Sequence, residues 1–133
     1  MSTLVDSNVL LDVIEDEGGW TDWSASMLER AAQQGPVVIN PIVYAEVCFG
    51  YDTIEVLEHV LPAQFYRREA LPWDAAFLAS RAFIAYRRRG GVRRSPLPDF
   101  YIGAHAAIAG HTLLTRDPKR YRTYFPKLRI IAP

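Results

Sequence analysis

Val37-Val38-Ile39-Asn40-Pro41-Ile42-Val43-Tyr44-Ala45-Glu46 is the stretch that decides the fold. Three β-branched residues in a row predict a short buried strand. Asn40 then offers a side-chain oxygen to cap a helix, and Pro41 brings the fixed φ that suits a first helical position. A strand therefore passes directly into a helix, and Glu46 rides on that helix. Working outward, Leu4-Val5 reads as a second short strand, followed by a turn and the apolar stretch Val9-Leu10-Leu11. Residues 24–34 have helical spacing, with Met27, Leu28, Ala31 and Ala32 on one side and Gly35-Pro36 as the stop. Residues 54–60 read as helix, and Phe65-Tyr66-Arg67 as an edge strand. Residues 74–89 form the longest predicted helix, with Phe77, Ser80 and Ile84 inward and Asp74, Arg81 and Arg88 along a polar stripe. Residues 90–98 read as loop, Pro98-Asp99 opens a further helix, and Gly110 closes it. Residues 112–115 and 128–131 read as the last two strands. This alternation predicts an α/β fold built on a mainly parallel sheet.

With 133 residues, half of them hydrophobic, the chain is expected to form one domain over residues 1–133 and to bury a core without a disulfide. The lone Cys48 excludes an intramolecular disulfide, and no Cys/His group has zinc-finger spacing. The opening Met1-Ser2-Thr3-Leu4 lacks the basic and apolar segments of a secretory leader. No apolar run approaches the roughly 20 residues of a membrane span, so the expectation is a cytoplasmic protein with no membrane partner. The net charge of zero conceals a division. Residues 1–61 hold eleven acids and one base, whereas residues 62–133 hold four acids and fourteen bases. Such asymmetry suits either a polyanion-binding face or merely two solvated faces of opposite sign.

Four acids stand where strands end or helices begin: Asp6, Glu46, Asp99 and Asp117. In a wound α/β fold the carboxyl ends of the strands face a common crevice. Like charges about 4 Å apart repel by on the order of 4 kcal/mol at a protein-surface dielectric. A divalent cation relieves that repulsion, and an all-oxygen donor set suits Mg²⁺ or Mn²⁺. The alternative for each acid alone is helix capping or a turn, as for Asp99 and for Asp117-Pro118.

Four segments follow one another along the chain: Asp6-Ser-Asn-Val-Leu-Leu11, Pro41-Ile-Val-Tyr-Ala-Glu46, Pro98-Asp-Phe-Tyr-Ile-Gly-Ala-His-Ala106 and Leu114-Thr-Arg-Asp117, the last followed by Tyr121 or Phe125. Together they resemble the PIN-domain ribonucleases, and most closely the VapC-type toxins of type II toxin–antitoxin pairs. Ser7 stands where threonine is commoner, and Phe100-Tyr101 is bulkier than usual, but neither departure removes a carboxylate. The resemblance implies a three-layer α/β/α fold and a Mg²⁺- or Mn²⁺-dependent endoribonuclease. It further implies catalytic Asp6, Glu46, Asp99 and Asp117, with Asp6, Asp99 and Asp117 as metal ligands. Glu46 would hold a second ion or orient the attacking water, and Asn8 and Thr115 would orient the ligands. The implied partners are RNA, a cognate antitoxin and a second copy of the chain.

Arg87, Arg88, Arg89, Arg93 and Arg94 surround Gly90-Gly91 just before Asp99, where guanidinium forks suit RNA phosphates. Arg116, Lys119, Arg120 and Arg122 are expected to extend that basic rim. A solvated helix end is the plainer account of such a run. Cys48 falls on the far side of its helix from Glu46, and His59, His105 and His111 have no motif partners, so none is expected to hold metal. Trp20 and Trp23 suit either a partner contact or core packing. A phosphoaspartyl phosphatase would need a second acid where Asn8 stands. The alternatives are an RNA-processing nuclease of the same family without an antitoxin, and a non-catalytic RNA-binding module, which would not need all four acids.

Overall fold

The computed structural model describes residues 1–91 and 96–133. Its elements run, in chain order, β1 (Thr3–Val5), α1 (Ser7–Glu15), α2 (Thr21–Gln34), β2 (Val37–Ile39), α3 (Pro41–Cys48), α4 (Ile54–Val60), β3 (Tyr66–Arg68), α5 (Trp73–Arg88), α6 (Leu97–Ala109), β4 (Thr112–Leu114), α7 (Lys119–Tyr124) and β5 (Ile130–Ile131). The strands form one sheet in the order β3-β2-β1-β4-β5, and every pairing is parallel. Helices pack around it as a three-layer α/β/α fold. β1, β2 and β4 are buried throughout, as strands covered on both faces must be. Edge strand β3 buries Tyr66 but exposes Arg67 and Arg68, charges that discourage further strand pairing.

The chain winds outward from β1 through β2 to β3, then crosses back to lay β4 on the other side of β1. That reversal opens a crevice beyond the carboxyl ends of β1 and β4, the usual ligand position in such sheets. Asp6 sits at its base, its backbone N–H donating to Leu114 O at 2.9 Å.

Local chemistry accounts for most boundaries. Asn40 caps α3 as expected, accepting from the Val43 N–H at 2.9 Å with Pro41 in the first turn. Gly110 ends α6 at φ 74°, in the left-handed region that glycine adopts without strain. Three expectations need correction. The turn expected after the first strand is absent: Asp6 is itself the cap of α1, and Ser7 already lies in that helix. The second helix begins at Thr21 rather than Ser24, and Ala32 is exposed, so its inward face is Ser24, Leu28 and Ala31. In α5, Phe77 is 67% exposed and Ser80 is exposed, whereas Ala75, Ala79 and Ala82 are buried. α5 lies along α6, and small residues let the two helices approach closely, so the alanine stripe turns inward. Ile84 is half-buried beside it. α7 was not expected from its sequence, Lys-Arg-Tyr-Arg-Thr-Tyr, which has no apolar repeat beyond its aromatics.

Candidate active site

Asp6 is the most constrained of the four acids. It is 4% exposed, and its Oδ2 accepts from the Thr115 hydroxyl at 2.8 Å and the Tyr121 hydroxyl at 3.0 Å. Its Oδ1 accepts from the Ser7 N–H at 2.8 Å. Asn8 reaches both Asp6 Oδ2 and Thr115 Oγ1 at 3.5 Å, while its own oxygen accepts from the Arg116 N–H at 3.1 Å. Burial raises the Asp6 carboxyl to about 6, and the nearby charges of Asp99 and Glu46 add to that rise against the two hydroxyls. Asp99 lies in the first turn of α6, where the helix dipole favours a carboxylate. Burial nevertheless raises its pKa, Asp117 pushes the same way, and Arg120 opposes both through a 2.6 Å hydrogen bond.

Glu46 joins through Ser7, whose hydroxyl donates to Glu46 Oε1 at 2.9 Å. Its pKa is also raised, by burial first and then by Asp99. Asp117 is exposed on the loop after β4, its N–H donating to Thr115 Oγ1 at 3.1 Å. Asp6, Asp99 and Asp117 line one cleft of about 460 Å³ with Asn8, Lys119 and Arg120. The fold thus brings all four acids into electrostatic contact, although no three place their oxygens within 4.8 Å of one another. Burial raises these carboxyls first and their charges on one another add to it, and a cation relieves that second contribution. An oxygen-only donor set of this kind fits a hard divalent ion.

A family model described as the PIN domain matches residues 3–126. The chain belongs to the PIN domain family. PIN domains are nucleases. Solved structures similar to this PIN domain include VapBC2 from Rickettsia felis bound to a promoter DNA fragment, at 20% identity and TM-score 0.76 over 99% of this chain and 98% of that one. VapBC-1 from nontypeable Haemophilus influenzae matches at 16% identity and TM-score 0.75, over 99% and 98% of the two chains. FitAcB from Neisseria gonorrhoeae matches at 16% and 0.74, over 97% and 96%. At such identities the likeness is one of fold. No curated protein matches by sequence.

The basic residues divide. Lys119 and Arg120 line the cleft of the PIN domain, and Arg89 stacks over the Tyr124 ring at its margin, 5.4 Å from the centroid. Arg88 and Arg122 are exposed. Arg93 and Arg94 lie outside the described residues. Arg116 does not join the rim: it grips buried Asp12 with two hydrogen bonds of 2.7 and 3.0 Å and covers the Trp20 ring. Trp20 and Trp23 meet edge to face at 6.0 Å. Among the described residues, no helix is long and apolar enough to cross a membrane.

Two features had no local signal in the sequence. Tyr121 reaches Asp6 across 115 positions, and the Arg120–Asp99 pair spans 21. The third omission is larger. Glu69, His105 and His111 are the one group of Asp, Glu, His or Cys among the described residues whose ligand atoms lie within 4.8 Å of one another. No motif spacing links the histidines to Glu69, which is 36 positions from one and 42 from the other.

Proposed function

We propose that this PIN domain is the toxin of a toxin–antitoxin pair, a Mg²⁺- or Mn²⁺-dependent endoribonuclease of the VapC type. The observation that carries the reading is the convergence of Asp6, Asp99 and Asp117 on one cleft, with Asp6 raised to about 6. These three side chains would hold the ion. When bound, it would acidify water and offset charge on the scissile phosphate. Glu46 orients the attacking water, or completes a second ion site, from its place beside Ser7. Asn8 and Thr115 keep Asp6 from turning away, as their hydrogen bonds to its Oδ2 support. Arg88, Arg89, Arg93 and Arg94 hold the RNA backbone.

The VapBC neighbours, and a solved toxin–antitoxin complex from Klebsiella pneumoniae with a similar fold, support an antitoxin as partner. The working assembly proposed is a homodimer in the cytoplasm. The Arg120–Asp99 pair supports the same idea chemically, since a guanidinium already satisfies one of the acids. A cationic side chain from an antitoxin would have the same attraction to Asp6, Asp99 and Asp117. The test is cleavage of total cellular RNA by the purified chain, with and without Mg²⁺. Cutting should stop in EDTA and in both Asp6→Asn and Asp99→Asn, while their circular dichroism stays native. Growth arrest on expression should be lifted by co-expression of a cognate antitoxin. Equal cleavage in excess EDTA would refute the reading.

A further inference from the structure

The cluster of half-buried Glu69 with buried His105 and His111 has the composition of a metal site. The His105 and His111 side chains are 1% and 4% exposed, and both Nε2 atoms face Glu69 Oε1, at 3.2 and 2.7 Å. The outer hydrogen bonds point elsewhere. Asn40 Oδ1 is committed to the Val43 N–H at 2.9 Å, so the Asn40 NH₂ group turns toward His105 Nδ1 at 3.0 Å. A donor at that position requires a lone pair on Nδ1, which leaves the proton on Nε2, facing Glu69. Metal on Nε2 would need the proton on Nδ1, aimed at the Asn40 NH₂. Turning Asn40 round would relieve that conflict only by uncapping α3. Burial also holds the His105 imidazole below its ordinary pKa, against the pull of Glu69. His105 is therefore a neutral ring that donates on one side and accepts on the other.

We propose that Glu69, His105 and Asn40 form a hydrogen-bonded relay that sets Glu46 relative to Asp99, with His105 as its positioning residue. Asn40 caps the helix that carries Glu46, and His105 lies on the helix that carries Asp99. Glu69 anchors the relay to the sheet, its N–H donating to Ile39 O at 3.0 Å and its other carboxylate oxygen accepting from Arg67 at 2.8 Å. The start of α3, the middle of α6 and the exit of β3 are thereby tied at one point. An apolar side chain would fill the space at His105 without specifying the rotation of α3. The inference rests on the proposed role of Glu46 in orienting water.

Three variants of the full chain test it: His105→Leu, His105→Asn and Asn40→Ser. Misplacing a reacting group by about 1 Å costs on the order of 100-fold, so kcat for RNA cleavage should fall about 10- to 100-fold in His105→Leu with KM nearly constant. His105→Asn keeps an acceptor for Asn40 and should recover most of that loss. Asn40→Ser keeps the helix cap but loses the arm to His105. It should match His105→Leu, and the double variant should be no worse than either. Unchanged kcat, or a loss confined to KM, would overturn the relay. Hydrogen exchange at the Val43 amide reads it without activity, and so separates it from failure of the nuclease reading: exchange should quicken in His105→Leu, and an unchanged rate refutes the relay. Calorimetric titration with Zn²⁺ supplies the remaining arm. Binding that Asp6→Asn retains and His105→Leu loses would overturn the proposal and make the cluster a metal site.

Discussion

Asp6 carries opposing demands in one side chain. It is buried, yet the metal-holding role proposed for it requires a negative charge. Below about pH 4 the carboxyl is neutral in both folded and unfolded chains and costs nothing. Between about 4 and about 6 it ionises only in the unfolded chain, so the stability of the metal-free protein falls as pH rises through that window. Above about 6 the loss is complete, at about 3 kcal/mol from the size of the shift. Asp6→Asn should therefore stabilise the metal-free protein at pH 7.5 and not at pH 4, judged by urea midpoints at about those two pH values. The expected gain is about 1–2 kcal/mol, less than the full shift, because one oxygen that accepts from Ser7 or from the hydroxyls becomes a donor. A gain of equal size at both pH values would assign the effect to packing instead. The importance of Asp6 is legible from its place after Leu4-Val5, and Thr115 as its orienting partner from the resemblance, but no local pattern links the Tyr121 hydroxyl to its Oδ2.

At the scale of elements, α6 is held against α7 by an absence. A Cβ on Gly103 would lie 2.5 Å from a Phe125 ring carbon and 3.0 Å from one of Tyr121. Both rings are buried and belong to the packing that aims the Tyr121 hydroxyl at Asp6. Gly103→Ala gains helix propensity of up to about 1 kcal/mol, but overpacking typically costs about 1–3 kcal/mol. The net expectation is destabilisation of about 1–2 kcal/mol, with weaker divalent-ion binding as the Tyr121 ring moves, checked by thermal unfolding and calorimetry. A more stable protein would mean that the rings give way freely. The same packing logic explains why α5 misled the periodic reading. Helical spacing identifies a face equally well with Phe77 or with Ala75, Ala79 and Ala82 on it. Only the closeness of α6 selects the small residues.

At the scale of the whole molecule, Asp12 fastens regions far apart in sequence. It accepts from Arg116 twice and from Ser24 at 2.7 Å, joining α1, α2 and the loop that presents Asp117. Breaking a buried pair from one side typically costs about 3–5 kcal/mol. Arg116 is about one-third exposed and keeps some hydration, so Asp12→Ala should cost about 2–3 kcal/mol in a urea titration, and Asp12→Asn less. A cost below about 0.5 kcal/mol would reduce the pair to a surface contact. The sequence alone determined the parallel α/β class, the capped start of α3, the close of α6 at Gly110 and the four acids, because each depends on residues adjacent along the chain or on a short motif. The tertiary structure decided what lies across the sheet: Arg116 on Asp12 rather than on the rim, Arg120 on Asp99, Tyr121 on Asp6, and two histidines on Glu69. Those partners meet only after β4 has been laid beside β1 and α6 against α3. Their pairing is set by strand order and helix approach, and neither is written in the spacing of any single segment.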